Sequence, residues 1–207
     1  MHPNPIYRRA SREQNLDFAR QTGFGILAVA DENGAPLLSH VPFFIAGDDV
    51  IFHLVRSNPI ARRLKAPQSV KIAVSGPHGY ISPDWYGIEH QVPTWNYVAV
   101  HLSGPAELMP QEELRGVLGR LSDRFEEALL PKPVWKTDKV PEEAMDKLMR
   151  MIVPARMRIE VVDGTWKLAQ NKPEAARMAA AEAMEQTGFG SELSALAALM
   201  RDLPPEQ

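Results

Sequence analysis

Phe24-Gly25-Ile26-Leu27-Ala28-Val29-Ala30, then Asp31-Glu32-Asn33-Gly34, then Ala35 through Ala46, is the stretch whose reading decides the fold. The first run is apolar and strand-like. Asn33-Gly34 tolerates the positive φ of a tight hairpin, and the third run returns beside the first. Gly47-Asp48-Asp49 offers another turn, and Val50 to Val55 reads as a third strand. The pattern predicts an antiparallel meander. Upstream, Ser11 and Gln14 have capping-box spacing, and Gly23 would end the helix they open.

Downstream, Asn58-Pro59 supplies an N-cap and a first helical residue for a short helix through Leu64. Val70 to Ser75 reads as a strand, and an aromatic run follows from Gly76. Thr94 to Ser103 reads as a longer strand. Val98, Val100 and Leu102 share one of its faces, and Trp95, Tyr97 and His101 the other. Pro110 opens an amphipathic helix with Leu114, Val117, Leu118, Leu121 and Phe125 at helical spacing. Residues 129–139 read as a loop and 141–152 as a helix. Met157, Ile159 and Val161 mark a half-buried strand that Asp163-Gly164 turns into Thr165–Leu168. Residues 174–203, rich in Ala, Met, Leu and Glu, read as two helices broken at Gly188-Phe189-Gly190. The expected class is mainly β with added helices (α+β). The expected division is a domain over 1–173 and a C-terminal helical extension over 174–207 packed on it.

The 207 residues can bury a core without staples. The absence of Cys excludes disulfides, thiol nucleophiles and thiolate metal sites. Net charge is -3 and the pI is near 6.1, which speaks against autonomous binding of duplex DNA. The final helix carries only Arg201 as a cation, so an oligomer-packing or lid role is expected rather than DNA reading. The N-terminal residues lack the apolar stretch of a secretory signal, and no run matches a membrane helix. The expectation is a cytoplasmic protein without membrane association.

Four constellations could carry chemistry. Arg56-Ser57-Asn58-Pro59-Ile60-Ala61-Arg62-Arg63 joins a strand end to a helix start, with hydroxyl, amide and guanidinium donors suited to phosphate. It also reads as a solvated basic turn. Leu38-Ser39-His40-Val41-Pro42-Phe43 interrupts an apolar strand with polar residues and with a Pro that lacks a backbone donor. A ligand-facing edge and a satisfied core histidine both fit it. The run Gly76-Pro77-His78-Gly79-Tyr80-Ile81-Ser82-Pro83-Asp84-Trp85-Tyr86, with Val92-Pro93-Thr94-Trp95-Asn96-Tyr97, concentrates aromatics in a chain that is only 7% aromatic. It suits either a planar ligand or a barrel core. Lys167-Leu168-Ala169-Gln170-Asn171-Lys172-Pro173 leaves the last strand with Asn171 as a candidate helix cap, and fits either a ligand-side rim or a plain strand-to-helix connection. His78, His90 and His101 match no metal-ligand spacing, so no metal is expected.

Together with Pro5 and Tyr7, these motifs and His53-Leu54-Val55-Arg56 make the chain resemble the PaiB-like family of FMN-binding negative transcriptional regulators, over nearly its whole length. The resemblance implies a flavin-binding split β-barrel, FMN as cofactor, and a homodimer with FMN in the subunit groove. It implies cofactor contacts from Ser39, His40, Val41, Arg56, Ser57, Asn58, Arg62, Trp95, Asn96, Lys167 and Gln170, and leaves catalytic residues unassigned. The family label implies gene repression, either by binding DNA or indirectly through a partner or a metabolite. The alternative is an FMN-dependent oxidoreductase acting on a small molecule or a second flavin.

Overall fold

Capping chemistry sets the first α-helix of the computed structural model, which describes residues 1–205. The Ser11 amide donates to Gln14 Oε1 at 2.8 Å and the Gln14 amide to Ser11 Oγ at 3.0 Å. This reciprocal pair opens α1 (Arg12–Thr22), and Gly23, at φ +59°, ends it. Strand β1 (Phe24–Ala30) then pairs with β2 (Pro36–Ala46), from Phe24 opposite Pro42 to Ala30 opposite Pro36. In the connecting turn the Asp31 carboxylate accepts from the Asn33 and Ala35 amides, each at 2.8 Å. Gly34 takes the positive φ that a β-carbon would disfavour.

The remaining α-helices and strands are β3 (Asp49–Val55), α2 (Pro59–Arg63), β4 (Gln68–Ile81), β5 (Thr94–Leu108), α3 (Leu114–Glu127), α4 (Glu142–Arg150), β6 (Ile152–Arg158), β7 (Val161–Lys167), α5 (Glu174–Thr187), β8 (Gly190–Ser191) and α6 (Leu193–Arg201). The eight-stranded sheet runs β7-β5-β6-β3-β2-β1-β4-β8, with a further pairing of β5 with β4. The fold is an α+β split barrel, as expected.

The chain forms two compact units. The meander unit holds residues 20–73 and 102–161. In it, alternate residues of β1, β2 and β3 bury Leu27, Val29, Phe43 and Phe52. Helix α3 covers Phe44 and Ile51 with Val117 and Leu121. Each such large side chain, taken fully from water, contributes about 1.5–3 kcal/mol. The aromatic unit holds residues 1–19, 74–101 and the chain from Val162. Its core joins Ile81, Tyr86, Val98, Trp166 and Leu168 to Ala180, Ala181 and Met184 of α5 and to Leu196, Ala197 and Met200 of α6.

Two stretches differ from expectation, for one reason. The strand expected to stop at Ser75 continues to Ile81 through Gly76, Pro77 and Gly79. The turn expected at Asp163-Gly164 lies inside β7; the chain leaves β6 at Arg158 instead. Glycine in these places makes room rather than turns. A β-carbon on Gly76 would lie 2.5 Å from Phe18 Cζ, one on Gly79 2.9 Å from Leu193 Cδ2, and one on Gly164 1.9 Å from Asn15 Oδ1. Asn171 does not cap α5: Pro173 holds that position, without a side-chain cap bond.

Candidate functional site

In the meander unit, Asn58 joins two of the motifs. Its Oδ1 accepts from the Ile60 amide at 2.9 Å and caps α2, while its Nδ2 donates to Ser39 Oγ at 3.1 Å. The Ser39–Val41 strand and the Arg56–Arg62 turn are therefore neighbours. Beside them His40 stacks on Phe24, with centroids 6.1 Å apart. The outer half of β2, residues 36–40, is buried on neither face, whereas Val41 enters the core.

The arginines differ in what they are free to do. Arg56 Nε donates to the Arg150 carbonyl at 2.9 Å, and its Nη2 donates to Gln111 Oε1 at 3.0 Å and to the Ile152 carbonyl at 3.2 Å. Among the described residues only its Nη1 is uncommitted. Arg62 and Ser57 are exposed, and among the described residues neither side chain has a hydrogen-bond or ionic partner.

In the aromatic unit, Trp95 is 42% exposed and stands among His78, Tyr80 and Phe189 at centroid distances of 5.5, 6.5 and 5.7 Å. Asn96, next in the strand, points the opposite way. It is buried, its Nδ2 donates to Met200 Sδ at 3.4 Å, and its Oδ1 has no partner among the described residues. Gln170 spends its amide on the local chain: Oε1 accepts from the Leu168 amide at 2.8 Å, and Nε2 donates to the carbonyls of Trp166 (2.6 Å) and Ile6 (3.2 Å). These bonds hold a turn in which Ala169 has φ +60°. Lys167 donates to Thr94 Oγ1 and lies 5.8 Å from the Tyr7 ring.

Sequence reasoning passed over what surrounds Lys167. Lys172 donates to Gln91 Oε1 and lies 5.3 Å from the ring of buried Tyr86. Burial, and secondarily Lys172, holds the Lys167 ammonium below its usual range. Burial, then Tyr7, pushes the Tyr86 hydroxyl up to about 12. The available signal was two lysines and no acid within residues 164–173. His53 was also missed as a separate feature. It lines a cavity of about 280 Å³ with Pro42, Phe125 and Trp135. Its Nδ1 is buried without a partner among the described residues, and burial lowers its pKa.

The donor set fits a flavin mononucleotide: an uncommitted guanidinium and hydroxyl at a capped turn suit a phosphate, and an open strand edge with polar backbone suits a ring. The fold and this donor set define a flavin-binding split barrel. A family model described as "Putative FMN-binding domain" matches residues 1–161. Protease synthase and sporulation protein PAI 2 of Bacillus subtilis is 31% identical over 178 residues, covering 84% of each chain. The chain therefore belongs to the PaiB-like FMN-binding family, and FMN is its cofactor.

An uncharacterized protein of Aspergillus fumigatus is 28% identical over 224 residues, covering 83% of this chain and 85% of its own. Among solved structures, the FAD and heme binding protein of Mycobacterium smegmatis aligns with TM-score 0.59 at 18% identity, covering 89% of this chain and 82% of that one. The flavocytochrome Anf3 of Azotobacter vinelandii aligns with TM-score 0.54 at 19% identity, covering 80% and 72%. Likeness at that identity shows the fold alone. Lys167, Gln170 and the C-terminal helices lie beyond the family-matched residues.

Proposed function

We propose that the protein is a flavin-dependent regulator that acts indirectly, through its bound FMN, rather than by gripping DNA itself. The Asn58–Ser39 hydrogen bond carries the flavin seat, because it makes the ring-edge strand and the phosphate turn neighbours within one unit. Ser57, Asn58 and Arg62 would hold the phosphate, with Arg56 bracing the turn through its carbonyl contacts and lending Nη1. Ser39, His40 and Val41 would line the ring edge. In the aromatic unit Trp95 presents an exposed ring, whereas Asn96 and Gln170 are engaged within that unit. When bound, FMN supplies hydride and one-electron chemistry, while the protein supplies position and electrostatics.

The indirect mode rests on charge and on α6. The net charge is -3. Helix α6 commits Leu196, Ala197 and Met200 to the core, and Arg201 pairs with Glu185 at 2.6 Å. A helix so engaged has little to offer phosphates. No helix is long and apolar enough to cross a membrane among the described residues. The reading includes a cytoplasmic homodimer with FMN in the subunit groove, and residues 174–207 as an extension of a barrel domain over 1–173. A mobility-shift titration against salt tests it. The expected outcome is no retardation of promoter DNA at low salt. Retardation that weakens steeply with salt would establish direct binding instead, and turnover of bound flavin with a reductant and a small-molecule acceptor would make the protein an oxidoreductase.

A further inference from the structure

Two ammonium groups share one corner of the aromatic unit without a counter-ion among the described residues. Lys167 and Lys172 are both half-buried, and each donates to a neutral oxygen, of Thr94 and Gln91 respectively. Among the described residues neither has a carboxylate within the 4.0 Å of an ion pair. Beneath them lie Tyr7 and Tyr86, each more than nine-tenths buried, whose rings sit 5.8 and 5.3 Å from the respective ammonium groups. A ring face attracts a cation but does not neutralise it. Half-buried like charges repel through a medium that screens less than water. That arrangement is favourable when an anion completes it.

We propose that Lys167 and Lys172, floored by Tyr7 and Tyr86, form a site for the carboxylate or phosphate group of a small metabolite, the substrate or effector to which the flavin responds. It rests on the reading that the phosphate of FMN is held at the Ser57–Arg62 turn, so the lysine pair is left for a second molecule. A charge-assisted hydrogen bond from each ammonium is worth roughly tenfold or more in affinity. The aromatic floor limits the occupant to a small head group.

The test titrates the FMN-loaded protein with inorganic phosphate and, separately, with succinate, at constant ionic strength maintained with potassium chloride. Thermal unfolding reports binding, since a ligand of the folded state raises the midpoint by mass action. The expected result is saturable stabilisation by at least one of the two anions. It should weaken more than about tenfold in the Lys167→Met/Lys172→Met double variant and persist in Lys172→Arg. The anion that saturates identifies the head group. A rise matched by chloride alone, or unchanged in the double variant, overturns the proposal. If the double variant folds poorly, Lys167→Gln is compared with Lys172→Arg in the same titration, with loss expected in the first only. An FMN and riboflavin titration of the apoprotein separates this proposal from the flavin reading. If the double variant loses FMN affinity but keeps riboflavin affinity, the pair holds the phosphate of the flavin and the second-ligand proposal falls. If wild-type protein binds neither flavin, the flavin seat itself is wrong.

Discussion

Gly164→Ala should be among the most damaging single-methyl additions in the aromatic unit. The new β-carbon would lie 1.9 Å from Asn15 Oδ1, 2.5 Å from its Cγ and 2.8 Å from its Nδ2. Asn15 cannot swing away cheaply. Its Oδ1 accepts from Trp166 Nε1 at 2.9 Å, and its Nδ2 donates to the carbonyls of Ser11 (2.9 Å) and Ala10 (3.2 Å). Overpacking a closed site costs about 1–3 kcal/mol. Displacing Asn15 would also strand the buried indole N–H, at about 1–3 kcal/mol. The sum, about 2–6 kcal/mol, corresponds to a fall in melting temperature of roughly 4–24 °C for a chain of this size. Circular dichroism melts and urea titration of wild type, Gly164→Ala, Asn15→Ala and the double variant would measure it. In the Asn15→Ala background the alanine should cost much less, because the atoms it would strike are gone. A melting temperature within about 2 °C of wild type, or an equal cost in both backgrounds, would refute the reasoning.

The arginines of the phosphate turn should separate in their effects. Arg62→Ala should weaken FMN roughly tenfold or more with little change in stability, because its side chain is exposed and uncommitted. Arg56→Ala should lower both FMN affinity and stability, because it also holds the carbonyls of Arg150 and Ile152; flavin-fluorescence titration and urea melts read the two quantities separately. His53 predicts an acid limit. Burial lowers its folded pKa from the usual 6.5, so the unfolded chain binds the proton more tightly. Its contribution is complete above 6.5 and is lost as pH falls toward the lowered folded value. His53→Gln should flatten that part of the stability–pH curve, measured by urea midpoints across the range.

Much of the fold was legible because local chemistry and global structure agree at the start of the chain. The Ser11–Gln14 box, the Asn33-Gly34 turn and the Asn58 cap each formed as their residue types dictate, and they frame β1, β2 and α2. Legibility failed where glycine served packing. Gly76, Gly79 and Gly164 read as breaks, since the side chains that crowd them, Phe18, Leu193 and Asn15, lie far off in sequence. The site was legible as motifs but not as contacts. That Asn58 reaches Ser39 follows from strand register. That Asn96 turns from Trp95 into the core follows from strand alternation, and the sequence showed that alternation through Val98, Val100 and Leu102. The lysine pair over two tyrosines was hidden because its members come from three separate segments, at Tyr7, at Tyr86 and at Lys167–Lys172.

The visible absorption spectrum of the purified protein, before and after soaking with FMN and desalting, tests the central claim most directly. The account predicts a yellow protein with flavin bands that stay with the protein fraction, and retention reduced in Arg62→Ala. A colourless wild-type protein that releases all added FMN on desalting would contradict it.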